Sequence, residues 1–235
     1  MEARPKLEAL VFDCCGVVTD MERDGHRVAF NRAFKKLKIG IYWSEKEYGE
    51  LLNTSGGKER LEAYLEAQDW PPSDRRYLVT ELHRIKTEYV VKLVESGFLD
   101  VRPGVVRLMD EAFAEGVKVA ICSAANGRLV EAIVMNMLGP DYRRRLSGVF
   151  AGDVVEAKKP DPEVYRLASK RLGIAETACM VVEDTRNGLL AAKKAGMKCV
   201  IATTEYTRDQ DFSEADAVFS EVEEIRLSTL ARLMP

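Results

Sequence analysis

The feature that most constrains the fold is a regular alternation of two kinds of segment in the second part of the chain. From Arg102 onward, short apolar runs of strand length alternate with segments whose apolar residues recur at helical spacing. The strand-like runs are 117–122, 149–152, 180–182 and 199–201. Strands that alternate with helices predict a parallel sheet with right-handed crossovers, so we expect an α/β core.

Another strand-like run lies near the start of the chain. Residues 7–12 are mostly apolar and are followed at once by Asp13, two small residues and Gly16. A carboxylate at the carboxyl end of a buried parallel strand points into the crevice where open α/β sheets bind ligands, and the glycine lets the backbone turn tightly. Asp13 is therefore a candidate functional residue, with a turn-capping role as the alternative.

The stretch between these regions has a helical pattern. Residues 21–101 contain no convincing strand, and residues 44–47 form a capping-box sequence that opens one of the helices. An Arg-Pro-Gly break at 102–104 marks the return to alternation. We predict a core domain of residues 1–20 and 102–235, with residues 21–101 inserted as an α-helical cap domain.

The composition excludes several classes of function. Of the 235 residues, 46% are hydrophobic and 31% are charged, and the net charge of -3 shows no basic excess for nucleic acid. No apolar run approaches the roughly 18 residues that span a bilayer, and the N-terminus lacks a secretory signal. Cysteines inside apolar runs suit a reducing compartment. We expect a monomer with a small-molecule partner and no nucleic-acid or membrane partner, in the cytoplasm, or in the plastid stroma if a presequence has been removed.

Polar residues follow or end the predicted strands. Asp13, Ser123 and the acidic pair Glu183 and Asp184 lie at strand ends. Lys159 precedes a Pro-Asp-Pro sequence that opens a helix. Because the carboxyl ends of parallel strands share one edge, these side chains are expected to converge. Singly, each has a structural alternative as a helix cap or a solvated charge; together, they fit the transfer of a phosphoryl group.

Phosphoryl transfer to a carboxylate requires a cation, because a carboxylate and a phosphate dianion repel each other. Asp13, Glu183 and Asp184 supply the oxygen ligands that Mg²⁺ prefers. Ser123 and Lys159 would hold the equatorial oxygens of the transferring group. The residues therefore predict Mg²⁺ as the cofactor and Asp13 as the nucleophile.

Four motifs in this order resemble those of the haloacid dehalogenase superfamily of hydrolases: DCCGVVTD, ICSAAN, KKPDPEVY and VVEDTRNG. The resemblance covers nearly the whole chain and implies a Rossmann-like core with an inserted helical cap. It implies that Asp13 forms an aspartyl-phosphate, and that Ser123, Ala124 and Lys159 bind the substrate's phosphoryl group. The implied Mg²⁺ ligands are three carboxylates and one backbone carbonyl: Asp13, Glu183, Asp184 and the carbonyl of Cys15.

The cap resembles the CbbY-like branch of this family, whose substrates are sugar bisphosphates such as xylulose 1,5-bisphosphate. The resemblance lies in TSGGKER at 54–60 together with the preceding Trp43 and Tyr48. It implies that the partner of this chain is a small phosphorylated sugar.

Further substrate contacts are expected from the cap. The pair Gly56-Gly57 would expose backbone amides at a helix N-terminus, where they suit a distal phosphate. Lys58 and Arg60 would add positive charge, and the alternative is a plain turn with solvated charges. By analogy with the family, Glu22 and His26 are expected to contact substrate hydroxyls.

One position departs from the family pattern. Phosphatases of this family carry an Asp two residues after the nucleophile, as acid for the leaving group and later as base for water; this chain has Cys15. A thiol with an unperturbed pKa of about 8.5 is mostly neutral at pH 7 and is a weak donor. Losing a positioned acid–base group typically costs about 10²–10⁴ in rate. The metal ligand at this position is main chain, so we predict a slowed Mg²⁺-dependent phosphatase.

Two alternatives stay open. The chain could be a catalytically impaired descendant that binds a phosphorylated metabolite or a partner protein. It could also be a phosphonate-cleaving hydrolase, since those relatives lack the second Asp and form a Schiff base on a cap lysine, for which Lys58 is the candidate. A dehalogenase would have no use for the pair Glu183 and Asp184.

Overall fold

The core is a single parallel sheet. The structure is a computed structural model that describes residues 6–54 and 56–234. Six strands pair in the order β3-β2-β1-β4-β5-β6, and every pair is parallel. The strands are β1 (Ala9–Phe12), β2 (Lys118–Cys122), β3 (Gly148–Phe150), β4 (Cys179–Glu183), β5 (Lys198–Ala202) and β6 (Ala217–Phe219). The predicted α/β fold with a parallel sheet is confirmed.

The central position of β1 follows from its composition. All four of its residues are buried, as a strand covered on both faces requires. Val11 pairs in register with Ala120 of β2 and with Val181 of β4. Because β1 lies between these strands, the residues that follow β1, β2 and β4 meet at one edge of the sheet.

Among the described residues, four α-helices lie in the cap region and six in the core region. They are α1 (Val28–Lys36), α2 (Glu45–Leu51), α3 (Gly57–Ala67), α4 (Pro72–Glu95), α5 (Val105–Ala114), α6 (Gly127–Ile133), α7 (Pro140–Arg145), α8 (Glu163–Leu172), α9 (Arg186–Lys194) and α10 (Leu227–Leu233). The expected capping box is confirmed at α2, where Ser44 accepts from the Glu47 amide and Glu47 accepts from the Ser44 amide. Within residues 6–54 and 56–234, none of the helices is both long and apolar enough to cross a membrane.

The chain divides into two compact units, one up to Asp20 and from Asp100 onward, the other spanning Met21–Leu99. In the first unit, alternate residues of the strands form an apolar cluster with α8 and α9. In the second unit, α1 packs on α4, and the buried ring of Trp43 contacts Phe30 and Phe34 with centroid distances of 4.8 Å each. Each unit therefore has its own core.

Candidate active site

Three neighbouring strands end in polar residues at one edge of the sheet. Asp13 follows β1, and its backbone amide donates to the carbonyl of Val182 in β4 at 2.9 Å. Ser123 follows β2, and its amide donates to the carbonyl of Phe150 in β3 at 2.9 Å. Glu183 is the last residue of β4. The sheet pairing thus extends to these residues, so the sheet itself sets their positions.

Lys159 lies between two of the carboxylates. Its Nζ is 2.6 Å from Asp13 Oδ1 and 2.6 Å from Glu183 Oε1. The same amine donates to the carbonyl of Cys122 at 3.1 Å. All three charged side chains are buried, so a single ammonium group serves two carboxylates at a site with little solvent exposure.

The orientation of Glu183 is set by several donors. Tyr165 donates its hydroxyl to Glu183 Oε1 at 2.7 Å. The other carboxylate oxygen accepts from the amide of Asp184 at 3.0 Å and from the hydroxyl of Thr185 at 3.2 Å. A Cβ at position 188 would overlap the carboxylate of Glu183, so only Gly188 allows this packing. Glu183 is therefore held in one conformation.

The electrostatics of the site show an excess of negative charge. Burial raises the pKa of Asp13 to about 7, and the nearby Glu183 adds to this increase although Lys159 opposes it. Burial would also raise the pKa of Glu183, but Lys159 and the hydrogen bonds outweigh burial and lower it. The pKa of Lys159 is raised, because its two carboxylate partners outweigh the cost of burying the ammonium group. Lys159 opposes the effect of burial on Asp13 but does not outweigh it, so this carboxylate is left short of positive charge.

The acidic residues fit a divalent cation. Asp13, Glu183 and Asp184 each offer a carboxylate oxygen, and these oxygens lie within 4.8 Å of one another. Gly16 lies so close to Asp184 that a Cβ there would overlap its carboxylate. Three buried carboxylates against one ammonium group form the hard oxygen donor set that suits Mg²⁺.

The loop after β2 begins with a hydroxyl side chain at the same edge of the sheet. Ser123 is buried, and its Oγ accepts from the amide of Ala125 at 3.1 Å. Ala124 is half-buried, and Gly152 packs against its carbonyl where a Cβ would not fit. Asn126 caps α6 by accepting from the backbone three residues on. The structure therefore places Ser123 and Ala124 in a hydrogen-bonded loop that follows β2, the strand paired with β1.

In the cap unit, Glu22 and Arg60 share Tyr48 as a partner. Tyr48 donates its hydroxyl to Glu22 Oε2 at 2.6 Å and accepts from Arg60 Nη1 at 2.8 Å. Arg60 also donates to the carbonyl of Leu51 at 3.2 Å and lies 3.8 Å from Glu22. Since Arg60 is buried and has these partners, its first role is to join α3 to the segments that carry Glu22 and Tyr48.

The other cap candidates differ in exposure. Gly57 begins α3, as expected, and Lys58 beside it is exposed. His26 is buried; burial, Lys86 and Arg60 lower its pKa well below the usual range, so its imidazole is neutral at pH 7. Lys58 is therefore the cap candidate whose amine is open to solvent.

Comparison with known proteins decides the family. The family model for haloacid dehalogenase-like hydrolases matches residues 7–196. The chain belongs to the haloacid dehalogenase-like hydrolase family. A CBBY-like protein of Arabidopsis thaliana is 48% identical over 217 residues, which are 90% of this chain and 68% of that protein. Protein CbbY of Cereibacter sphaeroides is 36% identical over 93% of this chain and 94% of its own length.

A solved structure supports the same assignment within the haloacid dehalogenase-like hydrolases. Mutant CbbY from Rhodobacter sphaeroides, crystallised with xylulose 1,5-bisphosphate, has a TM-score of 0.89 and 36% identity, and covers 95% of this chain and 99% of its own. The chain is thus a CbbY-like phosphoric monoester hydrolase, and its resemblance to the superfamily is confirmed.

Cys15 occupies the loop of this hydrolase that follows Asp13. It is half-buried and forms an isolated bridge with Thr19, whereas Cys14 is fully buried. The four cysteines other than Cys15 are buried, and no disulfide joins the five. Position 15 of this chain is therefore a cysteine whose half-buried side chain lies in the loop two residues after Asp13.

Sequence reasoning missed several buried polar groups, among them those of Tyr165 and Lys86. Tyr165 lies in the KKPDPEVY motif, and its place one helical turn after Pro162 was the available signal. Lys86 lies in α4 with its ammonium group 5.0 Å from the ring centroid of Phe30. Its signal was a lysine among the apolar positions Leu82, Ile85 and Val90 of that helix.

Proposed function

We propose that this hydrolase is a Mg²⁺-dependent phosphatase that removes one phosphoryl group from a small sugar bisphosphate through an aspartyl-phosphate on Asp13. The observation that carries the proposal is the group of three buried carboxylates, two of which, Asp13 and Glu183, share the ammonium group of Lys159. The substrate class rests on the CbbY structure that contains xylulose 1,5-bisphosphate. Both the family and the excess negative charge favour a metal-assisted reaction.

The residues at the sheet edge have separate tasks in this mechanism. Mg²⁺ would be held by Asp13, Asp184, Glu183 and the Cys15 carbonyl, and when bound it reduces the repulsion between carboxylate and phosphate. An Asp13 oxygen attacks phosphorus while the bond from phosphorus to the sugar oxygen breaks. Lys159, which contacts Asp13 after β1 and Glu183 at the end of β4, stabilises the charge on the transferring group.

The proton transfers are where this chain departs from its family. The sugar alkoxide must gain a proton as it leaves, and the water that later attacks the aspartyl-phosphate must lose one. A family phosphatase uses the second aspartate for both transfers, whereas Cys15 offers a weakly acidic thiol. We therefore propose that both steps are slow and that the phosphoenzyme is hydrolysed slowly.

Phosphate release tests the proposal directly. The purified chain is incubated with xylulose 1,5-bisphosphate in Mg²⁺ and, separately, in excess EDTA, and free phosphate is measured over time. We expect slow release that requires Mg²⁺, and a beryllium fluoride adduct on Asp13 in crystals. If the chain binds the sugar bisphosphate but neither releases phosphate nor forms the adduct, it is a binding protein and not a phosphatase.

The affinity for Mg²⁺ is expected to depend on pH. Burial raises the pKa of Asp13 to about 7 in the metal-free protein, so below that pH Mg²⁺ must displace a proton. The apparent dissociation constant should fall about tenfold per pH unit up to pH 7 and level off above it. Calorimetric titration with Mg²⁺ between about pH 5.5 and about pH 8, the range over which Asp13 ionises, measures this dissociation constant.

The Asp13→Asn variant is the control for that titration. Its side chain has no proton to displace, so the slope below pH 7 should disappear while weaker Mg²⁺ binding remains. An unchanged slope in Asp13→Asn would show that another group, and not Asp13, binds the competing proton.

The cap is expected to favour substrates with a second phosphate. Lys58 is exposed beside the N-terminus of α3, where backbone amides also favour anions. Lys58→Met should raise KM for the bisphosphate by about 10-fold or more, as the loss of a charged hydrogen bond implies, and leave KM for a sugar monophosphate unchanged. Lys46→Met, also an exposed cap lysine, is the matched control. An equal change for both substrates would contradict a distal phosphate site at Lys58.

A further inference from the structure

Arg102 connects the loop after the nucleophile to the rest of its unit. Its backbone amide donates to the carbonyl of Val18 at 2.9 Å. Its guanidinium group, on a residue only 8% exposed, donates through Nη1 to the carbonyl of Gly16 and to that of Ala202 at 3.3 Å. One residue thus holds this loop at two points.

The other side of the guanidinium contacts two further segments. Nη2 donates to the carbonyl of Thr203 at 2.9 Å and to Glu221 Oε2 at 2.9 Å. Because the donors of a guanidinium group are fixed in one plane, they hold their acceptors in a fixed relation. Arg102 therefore joins the Gly16 loop to the end of β5 and to the C-terminal segment.

Gly16 is the residue at which this connection matters. Its φ of 128° lies in the region that favours glycine. A Cβ there would overlap the carboxylate of Asp184, and its amide donates to the carbonyl of Thr19 at 2.8 Å. Gly16 is thus packed against Asp184 while its carbonyl is held by Arg102.

We propose that Arg102 is a positioning residue for the hydrolase. It holds the Gly16 carbonyl and so keeps the loop with Asp13 and Cys15 in register with Asp184. The expected effect of Arg102 on catalysis rests on the proposed function, whereas its effect on the position of the loop does not. Groups that orient metal ligands without touching the metal typically contribute about 10–100-fold to metal affinity or activity.

The test uses two matched variants. Arg102→Met keeps the length of the side chain but removes its donors. Arg107→Met is the control, because Arg107 also contacts the C-terminal segment, through the carbonyls of Glu223 at 3.0 Å and Ile225 at 2.8 Å. The contacts found for Arg107 do not include the Gly16 loop, so the pair separates loop positioning from attachment of that segment. Arg102→Lys, which retains the charge, is a milder third variant should Arg102→Met fold poorly.

The first measurement is the rate at which iodoacetamide alkylates Cys15 in metal-free protein, read by peptide mass spectrometry. Cys15 is half-buried in the loop, so a loosened loop exposes its thiol. We expect Arg102→Met to accelerate this reaction about tenfold, the effect of losing a charged hydrogen bond, and Arg107→Met to leave it unchanged. Three buried cysteines of the sheet report general unfolding: Cys122, Cys179 and Cys199.

The second measurement is Mg²⁺ binding by calorimetry together with kcat and KM for xylulose 1,5-bisphosphate. We expect Arg102→Met to weaken Mg²⁺ binding and lower kcat, each by about 10-fold or more, with KM changed less. Equal alkylation and Mg²⁺ binding in wild type and Arg102→Met would overturn the proposal, as would equal losses in both variants. If the wild type releases no phosphate, the proposed function fails, and selective exposure of Cys15 still decides the role of Arg102.

Discussion

Replacing Cys15 with aspartate is expected to raise kcat by about 10²–10⁴, the usual contribution of a positioned general acid–base group. Cys15 follows Asp13 by two residues, the position at which the resemblance to family phosphatases implies an acid that protonates the leaving sugar. Its backbone supplies the proposed metal ligand, so the change of side chain leaves the ligand set intact. Steady-state phosphate release from xylulose 1,5-bisphosphate, in saturating Mg²⁺, measures the gain.

The matched control is Cys15→Asn. Asparagine has the shape of aspartate but cannot take up or give off the proton, so we expect its rate to stay at the wild-type level. The phosphoenzyme should also disappear from rapid-quench samples of Cys15→Asp, because water attack is no longer slow. No gain in rate for Cys15→Asp would mean that Cys15 is not the limiting departure from the family.

Replacing Asp13 with asparagine is expected to abolish turnover, since loss of a nucleophile costs on the order of 10⁶ in rate. The amide is too weak a nucleophile to form the phosphoenzyme, so mass spectrometry should find no phosphorylated protein. Binding of the sugar bisphosphate should remain, because Lys159 and the Ser123 loop are unchanged. Asp209→Asn, an exposed site in the same unit, is the control and should keep full activity.

The same variant has an expected effect on stability. Burial raises the pKa of Asp13 from 3.8 to about 7, so the folded protein holds this proton more tightly than the unfolded chain does. Metal-free wild type should therefore lose stability as the pH rises from about 4 to about 7. Asp13→Asn should lack that loss and have the higher Tm at pH 8 in EDTA. A lower Tm there would contradict the raised pKa; residual turnover would contradict the role of Asp13.

Local sequence determined much of the core. The apolar runs that end in Asp13, Ser123 and Glu183 specify buried strands, and parallel strands place their carboxyl ends along one edge. The polar groups at that edge could be predicted because the apolar residues of strands and helices recur with different periods. Both periods can be recognised from neighbouring residues. β6 was missed because its residues, Ala217–Phe219, form a short strand that is only partly buried.

The tertiary structure decided how distant residues share contacts. The bridge from Lys159 to Asp13 spans 146 positions, and no local sequence pattern shows which distant carboxylates a lysine will contact. The contact of Arg102 with Gly16 spans 86 positions and depends on the same packing. In the cap, sequence alone could not show that Arg60 is buried against Tyr48 while Lys58 is exposed.

Strand and helix periods are properties of neighbouring residues, so sequence alone indicated five of the six strands that the described residues form, and the polar groups expected at their ends. The raised pKa of Asp13 and the anchoring of its loop depend on burial and on partners far along the chain. These features therefore exist only once the chain has packed.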